Sequence, residues 1–187
     1  MKKILEIHEF HEKFKVLPLH EYILTFDDGL YSQYLQKDFL KSLGTEIYFF
    51  ISSGIINKNN KQKNEIVHCA IAHEKARDGN FENYMSWDNI HELKNMSKLF
   101  HIGYHGHWHI NLQPIYNLMH KKQLIEDDVN CMVNEFAKNK IYPSTFCFPY
   151  NNEDFLLKHA LQMKGIHDLF GKGRIAIEHE YERIIGL

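Results

Sequence analysis

An α/β fold with parallel strands is predicted by three features of this 187-residue sequence. Strand-like runs at 21–26, 45–51, 100–104 and 144–149 alternate with helix-like stretches at 31–43, 86–98, 114–138 and 152–164. Two of those strands end in chemistry-bearing residues, which support one another because parallel α/β folds gather strand C-terminal ends at one face. Local punctuation agrees. Gly44 stands where the first long helix should stop, and Ser86 is placed to cap the helix beginning at Trp87.

Taken in order, Ile4, Leu5, Ile7, Phe10 and Phe14 recur at helical spacing, which predicts a helix over 3–14. Tyr22-Ile23-Leu24 then runs into Thr25-Phe26-Asp27-Asp28-Gly29, a buried strand ending in an acidic turn. Adjacent strand residues face opposite ways, so Asp27 and Asp28 should play different roles. Residues 54–83 read as a polar, basic loop with a short helical piece near Val67–Lys75, either a lid or substrate wall or a tolerated insertion. Phe100-His101-Ile102-Gly103-Tyr104 is an apolar run leading into His105-Gly106-His107-Trp108-His109. Glu126-Asp127-Asp128, on the long helix, reads as a solvated face. One domain over 1–187 is expected.

Hydrophobic residues make up 44% and the net charge is −2, so a basic nucleic-acid binder is excluded and a soluble globular chain is expected. No apolar run reaches the ~20 residues of a membrane span. Met1-Lys2-Lys3-Ile4-Leu5 opens like a secretory leader, but Glu6, His8, Glu9, His11 and Glu12 break any apolar core. Cys69, Cys131 and Cys147 are odd in number and lack metal-type spacing, which fits thiols in a reducing cytosol. A cytoplasmic location is expected.

His105 and His109 are four apart, a spacing that converges two imidazoles on one ion. With Asp28 they would make three ligands, the usual number at a catalytic zinc with an open position for water. Such an ion lowers the pKa of water from 15.7 towards ~7, and Asp27 could accept the released proton. Zinc is preferred for two His and one Asp, while cobalt, nickel and manganese also suit these donors.

Thr25-Phe26-Asp27-Asp28-Gly29 resembles the first motif of the polysaccharide deacetylase family, the NodB-homology carbohydrate esterases. His105-Gly106-His107-Trp108-His109 is similar to the second, H-[ST]-x-x-H, and Phe146-Cys147-Phe148-Pro149-Tyr150 to the third, R-x-P-[YF]. Over roughly residues 20–170 the resemblance implies a distorted (β/α) barrel with fewer than eight full units. It implies metal-dependent removal of an N-acyl group, usually acetyl, from a sugar. The expected cytoplasmic location suggests a free, nucleotide-linked or lipid-linked sugar, handled during surface-polysaccharide biosynthesis. The resemblance assigns Asp28, His105 and His109 to the metal and Asp27 to the general base. The Tyr150 backbone N–H would stabilise the oxyanion, and Phe148, Pro149 and Tyr150 would line the substrate groove. Trp108 would either stack on a sugar face or shield the site as core.

The sequence departs from the family at three places. Cys147 replaces the third-motif arginine, Gly106 replaces Ser or Thr, and the late histidine that supplies the general acid is not recognisable. His107, His167 and His179 are the candidate acids, and Arg174 and Arg183 the candidate replacement cations. An inactive relative that binds carbohydrate, or a deacylase of a non-sugar amide, are the competing readings.

Overall fold

The computed structural model describes residues 2–186. Its strands are β1 (Ile4–Ile7), β2 (Ile23–Phe26), β3 (Ile47–Ile51), β4 (Phe100–Tyr104), β5 (Thr145–Cys147), β6 (Asp168–Phe170) and β7 (Ile175–Ala176). They follow the hydrogen-bonded order β6-β5-β4-β3-β2-β1-β7. The pairs β1–β2, β1–β7, β2–β3, β4–β5 and β5–β6 are parallel. The α-helices are α1 (Tyr31–Leu35), α2 (Lys37–Ser42), α3 (Cys69–Arg77), α4 (Trp87–Met96), α5 (Leu118–Lys138), α6 (Phe155–Met163) and α7 (Ile177–Ile185). This is the α/β class of a distorted (β/α) barrel with fewer than eight units. No helix among the described residues is long and apolar enough to cross a membrane.

Contacts divide the chain into two compact units. The first comprises Met1–Phe49, Ile56–Ile102 and Gly173–Leu187, the second Phe50–Ile55 and Gly103–Lys172.

In the first unit β1 lies between β2 and β7, with Leu5 paired to both Leu24 and Ile175. The helix expected over 3–14 is therefore wrong. Leu5 and Ile7 are fully buried while Ile4 and Glu6 between them are partly exposed, the period of a strand. Four residues with apolar side chains at Ile4, Leu5 and Ile7 are too few to separate the two periods, and the two flanking strands decide for β. Phe10 and Phe14 lie beyond it, edge to face at 6.1 Å, and a 3₁₀ turn over Glu12–Val16 carries Phe14. Phe26 stacks on Phe49 at 5.3 Å and fills the core between β2 and β3.

The helix expected over 31–43 is two helices, broken at Gln36 (φ −91°, ψ 6°) and ended at Gly44. Ser86 caps α4 as expected, in a reciprocal capping box with Asn89. The 54–83 segment holds one helix, α3, close to the piece expected there.

In the second unit α5 begins at Leu118, with Asn117 accepting from the His120 N–H, rather than at residue 114. Its buried stripe is Ile125, Val129, Met132 and Phe136, spaced for one helix face. Asp128 interrupts that stripe. Tyr104 of β4 meets Phe136 edge-on at 4.6 Å.

Candidate active site

The acid end belongs to the first unit. Leu24 and Phe26 point into the core, so by strand alternation Thr25 and Asp27 share the other face. Asp27 is only 2% exposed. Arg174, on the residue before β7, reaches it with a two-pronged grip: Nη1 to Oδ1 at 2.7 Å and Nη2 to Oδ2 at 2.8 Å. The same guanidinium donates to Thr25 Oγ1 at 3.0 Å and lies 3.4 Å from a Glu6 oxygen. A planar fork matches the two oxygens of a carboxylate, so it fixes orientation as well as charge. Arg174, weighed above as the replacement cation, is thus carboxylate-paired, and its partner is Asp27. Arg183 instead grips Glu180, which also accepts from the Tyr22 hydroxyl.

Asp28 leaves the strand in the left-handed region at φ 72°. A non-glycine residue there costs about 1–3 kcal/mol and persists only where its surroundings impose it. They do so here through the backbone. Met85 N–H donates to the Gly29 carbonyl, Tyr31 N–H to the Asn83 carbonyl, and Leu30 bridges to Tyr84. His73, on α3, has its Nε2 3.1 Å from Asp28 Oδ2 and its Nδ1 3.2 Å from the Tyr84 hydroxyl. His8 follows β1 directly. Burial alone would lower its pKa, but Asp28, Asp27, Glu6 and Glu9 around it outweigh that and raise it. Cys69 is pushed up to about 12 by burial and by the nearby Glu9 and Asp28 carboxylates, so its thiol stays protonated. Neither His8 nor His73 stood out in the sequence. The expected helix hid the strand end that places His8, and His73 lies in the 54–83 segment, read as either a lid or substrate wall or a tolerated insertion.

The histidine end belongs to the second unit. His105 is buried at the end of β4, and its Nδ1 lies 2.8 Å from the Cys147 carbonyl oxygen. A carbonyl only accepts, so Nδ1 carries the proton and Nε2 keeps the lone pair a metal needs. Cys147, where the family has arginine, acts here through its backbone. His109 takes the left-handed region at φ 53°, with its ring 4.9 Å from that of His105. Tyr150, also left-handed at φ 57°, stands 4.7 Å from the His109 ring. Left-handed non-glycine residues thus fall on three of the residues that the resemblance singles out.

Asp128 is not the solvated residue expected of its acidic trio. It is buried, and accepts from the backbone N–H groups of His107 (3.0 Å) and Trp108 (2.7 Å). Glu126 and Asp127 are the exposed members. Burial raises the Asp128 pKa against the opposing pull of the Trp108 and His107 N–H groups. Gly106 allows the approach, with φ +79° and a would-be Cβ 3.1 Å from Asp128 Oδ2. Asp128 of α5 thus anchors the loop that carries Gly106.

His107 is buried with Nδ1 2.8 Å from Ser53 Oγ, and His167 and His179 are exposed. Trp108 is 57% exposed and so not core; it lies over Gly54, where a Cβ would come within 2.9 Å of its ring. Phe148 and Pro149 are buried and Tyr150 is 55% exposed, so Tyr150 is the member of its motif that presents a side chain to solvent.

Within the second unit, His105 has its lone pair on Nε2, away from the Cys147 carbonyl, and the His109 ring beside it; within the first, the buried Asp28 carboxylate has His73 beside it.

No family model matches the sequence, and no curated protein does. Solved structures match over most of the chain. IcaB from Ammonifex degensii is 15% identical with a TM-score of 0.70, covering 98% of this chain and 95% of its own. The deacetylase PplD from Streptococcus pyogenes, in complex with acetate, is 10% identical with a TM-score of 0.65, covering 99% and 96%. A de-N-acetylase from Aggregatibacter actinomycetemcomitans is 14% identical with a TM-score of 0.60, covering 95% and 79%. At these identities the likeness is one of fold, and this chain has the fold of solved deacetylases along nearly its whole length.

Proposed function

We propose that this chain is a metal-dependent carbohydrate N-deacetylase of the polysaccharide deacetylase family. The observation that carries the proposal is the grip of Arg174 on Asp27. It bears on one of the two sequence arguments for an inactive relative, the loss of the third-motif arginine, because a guanidinium from the residue before β7 meets the expected base. The fold likeness to proteins described as deacetylases supports the same reading.

In this reading Asp28, His105 and His109 would hold a divalent ion, with zinc preferred, which polarises the amide carbonyl and lowers the pKa of water. Arg174 orients Asp27 so that one oxygen takes the proton of the attacking water. The Tyr150 N–H donates to the oxygen of the tetrahedral intermediate as charge develops there. Collapse breaks the C–N bond, and Asp27 returns its proton to the departing nitrogen, giving a free amine and acetate. Trp108 and Tyr150 offer exposed aromatic faces to the sugar. The substrate would be an N-acetylated sugar met in the cytoplasm during surface-polysaccharide assembly; the odd count of three cysteines supports a reducing compartment.

The test is release of acetate from N-acetylated sugar oligomers by metal-depleted protein resupplied with zinc, cobalt, nickel or manganese. Metal-dependent turnover supports the proposal. Stoichiometric metal binding with no turnover would favour a carbohydrate-binding relative instead.

A further inference from the structure

The segment between β3 and α4 brings a histidine to Asp28. Cys69, Ala72, His73 and Ala76 lie at one-face spacing on α3, and the two alanines are buried. Small side chains on that face let the helix approach closely. His73 is thereby delivered to a carboxylate that is itself 2% exposed.

We propose that His73 is a further ligand of the divalent ion held by Asp28, a deepening that rests on the metal-dependent reading above. The separation of His73 Nε2 from Asp28 Oδ2 is 3.1 Å. Two ligands each ~2.1 Å from one ion stand about 3.0 Å apart at a right angle and about 3.4 Å apart at a tetrahedral angle. The two atoms therefore already have the spacing of neighbouring ligands. The far side of the ring is also built for the role. Nδ1 lies 3.2 Å from the hydroxyl of Tyr84, which is buried. Metal-ligating histidines characteristically use their second nitrogen in a hydrogen bond that fixes ring orientation. Tyr84 and Asp28 are held in common, since the 83–85 segment is bonded through its backbone to residues 29–31.

With His73, the ion would have four protein ligands before water or substrate joins. Catalytic zinc usually has three, and reaches five-coordination in the transition state. The added imidazole favours an ion at ease with five or six ligands, such as cobalt, nickel or manganese.

The probe is cobalt(II) added to metal-free protein. In wild type, the paramagnetically shifted, solvent-exchangeable imidazole N–H resonances should number three, for His73, His105 and His109. His73→Gln should show two, and bind cobalt more than ~100-fold more weakly, beyond the 10–100-fold that loss of an outer hydrogen bond costs. Tyr84→Phe should keep three resonances and bind within that smaller range. Tight cobalt binding with two resonances in wild type, or unchanged affinity in His73→Gln, overturns the assignment of His73 and leaves the metal-dependent reading standing. Failure of wild type to bind cobalt overturns both. The wild-type count needs no variant to fold.

Discussion

The Arg174–Asp27 pair permits the sharpest prediction. Arg174 is 3% and Asp27 2% exposed at the side chain, with two charge-assisted bonds of 2.7 and 2.8 Å. Removing one partner of such a buried pair costs about 3–5 kcal/mol, because the other charge is left without compensation. Arg174→Met should fall at the upper end, about 5 kcal/mol, since Glu6 beside the guanidinium would then face Asp27 with like charge. Asp27→Asn should cost less, because Glu6 still neutralises the arginine. The double variant should therefore be more stable than the sum of the singles implies, with a coupling of about 2–3 kcal/mol read from urea denaturation. Kinetics give the second readout. Arg174→Lys keeps a positive charge but loses the fork, so kcat should drop about 10²-fold from misorientation of Asp27, with KM little changed. A coupling under about 0.5 kcal/mol together with wild-type kcat in Arg174→Lys would show that the guanidinium neither stabilises nor orients Asp27.

Asp27→Asn should bind metal normally and lose about 10²–10⁴-fold in turnover, whereas Asp28→Asn should weaken metal binding; calorimetric metal titration beside acetate release checks both. Asp128→Ala orphans the His107 and Trp108 N–H groups and should cost about 1–3 kcal/mol in thermal or urea unfolding, with weaker metal binding because the loop between the two histidines loosens. Gly54→Ala should displace Trp108, seen as a shift in tryptophan fluorescence, because a Cβ there comes within 2.6 Å of the His107 carbonyl oxygen. Glu180 is held down at about 2 by hydrogen bonds from Arg183 and Tyr22. A carboxyl depressed on folding stabilises above its unfolded pKa, near 4.5, and that contribution should fade as pH falls towards 2. Glu180→Gln should thus be less stable at neutral pH and have a flatter stability profile across that acid window.

The parallel α/β class, the four strand runs at 21–26, 45–51, 100–104 and 144–149 and most of the helical stretches between them were legible in the sequence. Strand runs such as Phe100–Tyr104 carry enough period to be read locally, and Asp27, Asp28, His105 and His109 are marked by the strands they follow. Which side chains pair with these residues depends on contacts distant in sequence. Arg174 lies 147 residues from Asp27 and precedes a strand of two residues, too short to show any period, so only the pairing of β7 with β1 places it. His73 depended on which face of α3 turns towards Asp28, and helical spacing alone does not choose between faces. Asp128 sits in an acidic trio whose charge reads as solvated. It is buried because backbone N–H groups of the histidine loop satisfy it, and such partners carry no trace in side-chain sequence. β1 shows the same limit from the other side: its four residues fit a helix or a strand equally well, and the neighbours that offer it hydrogen bonds settle the matter.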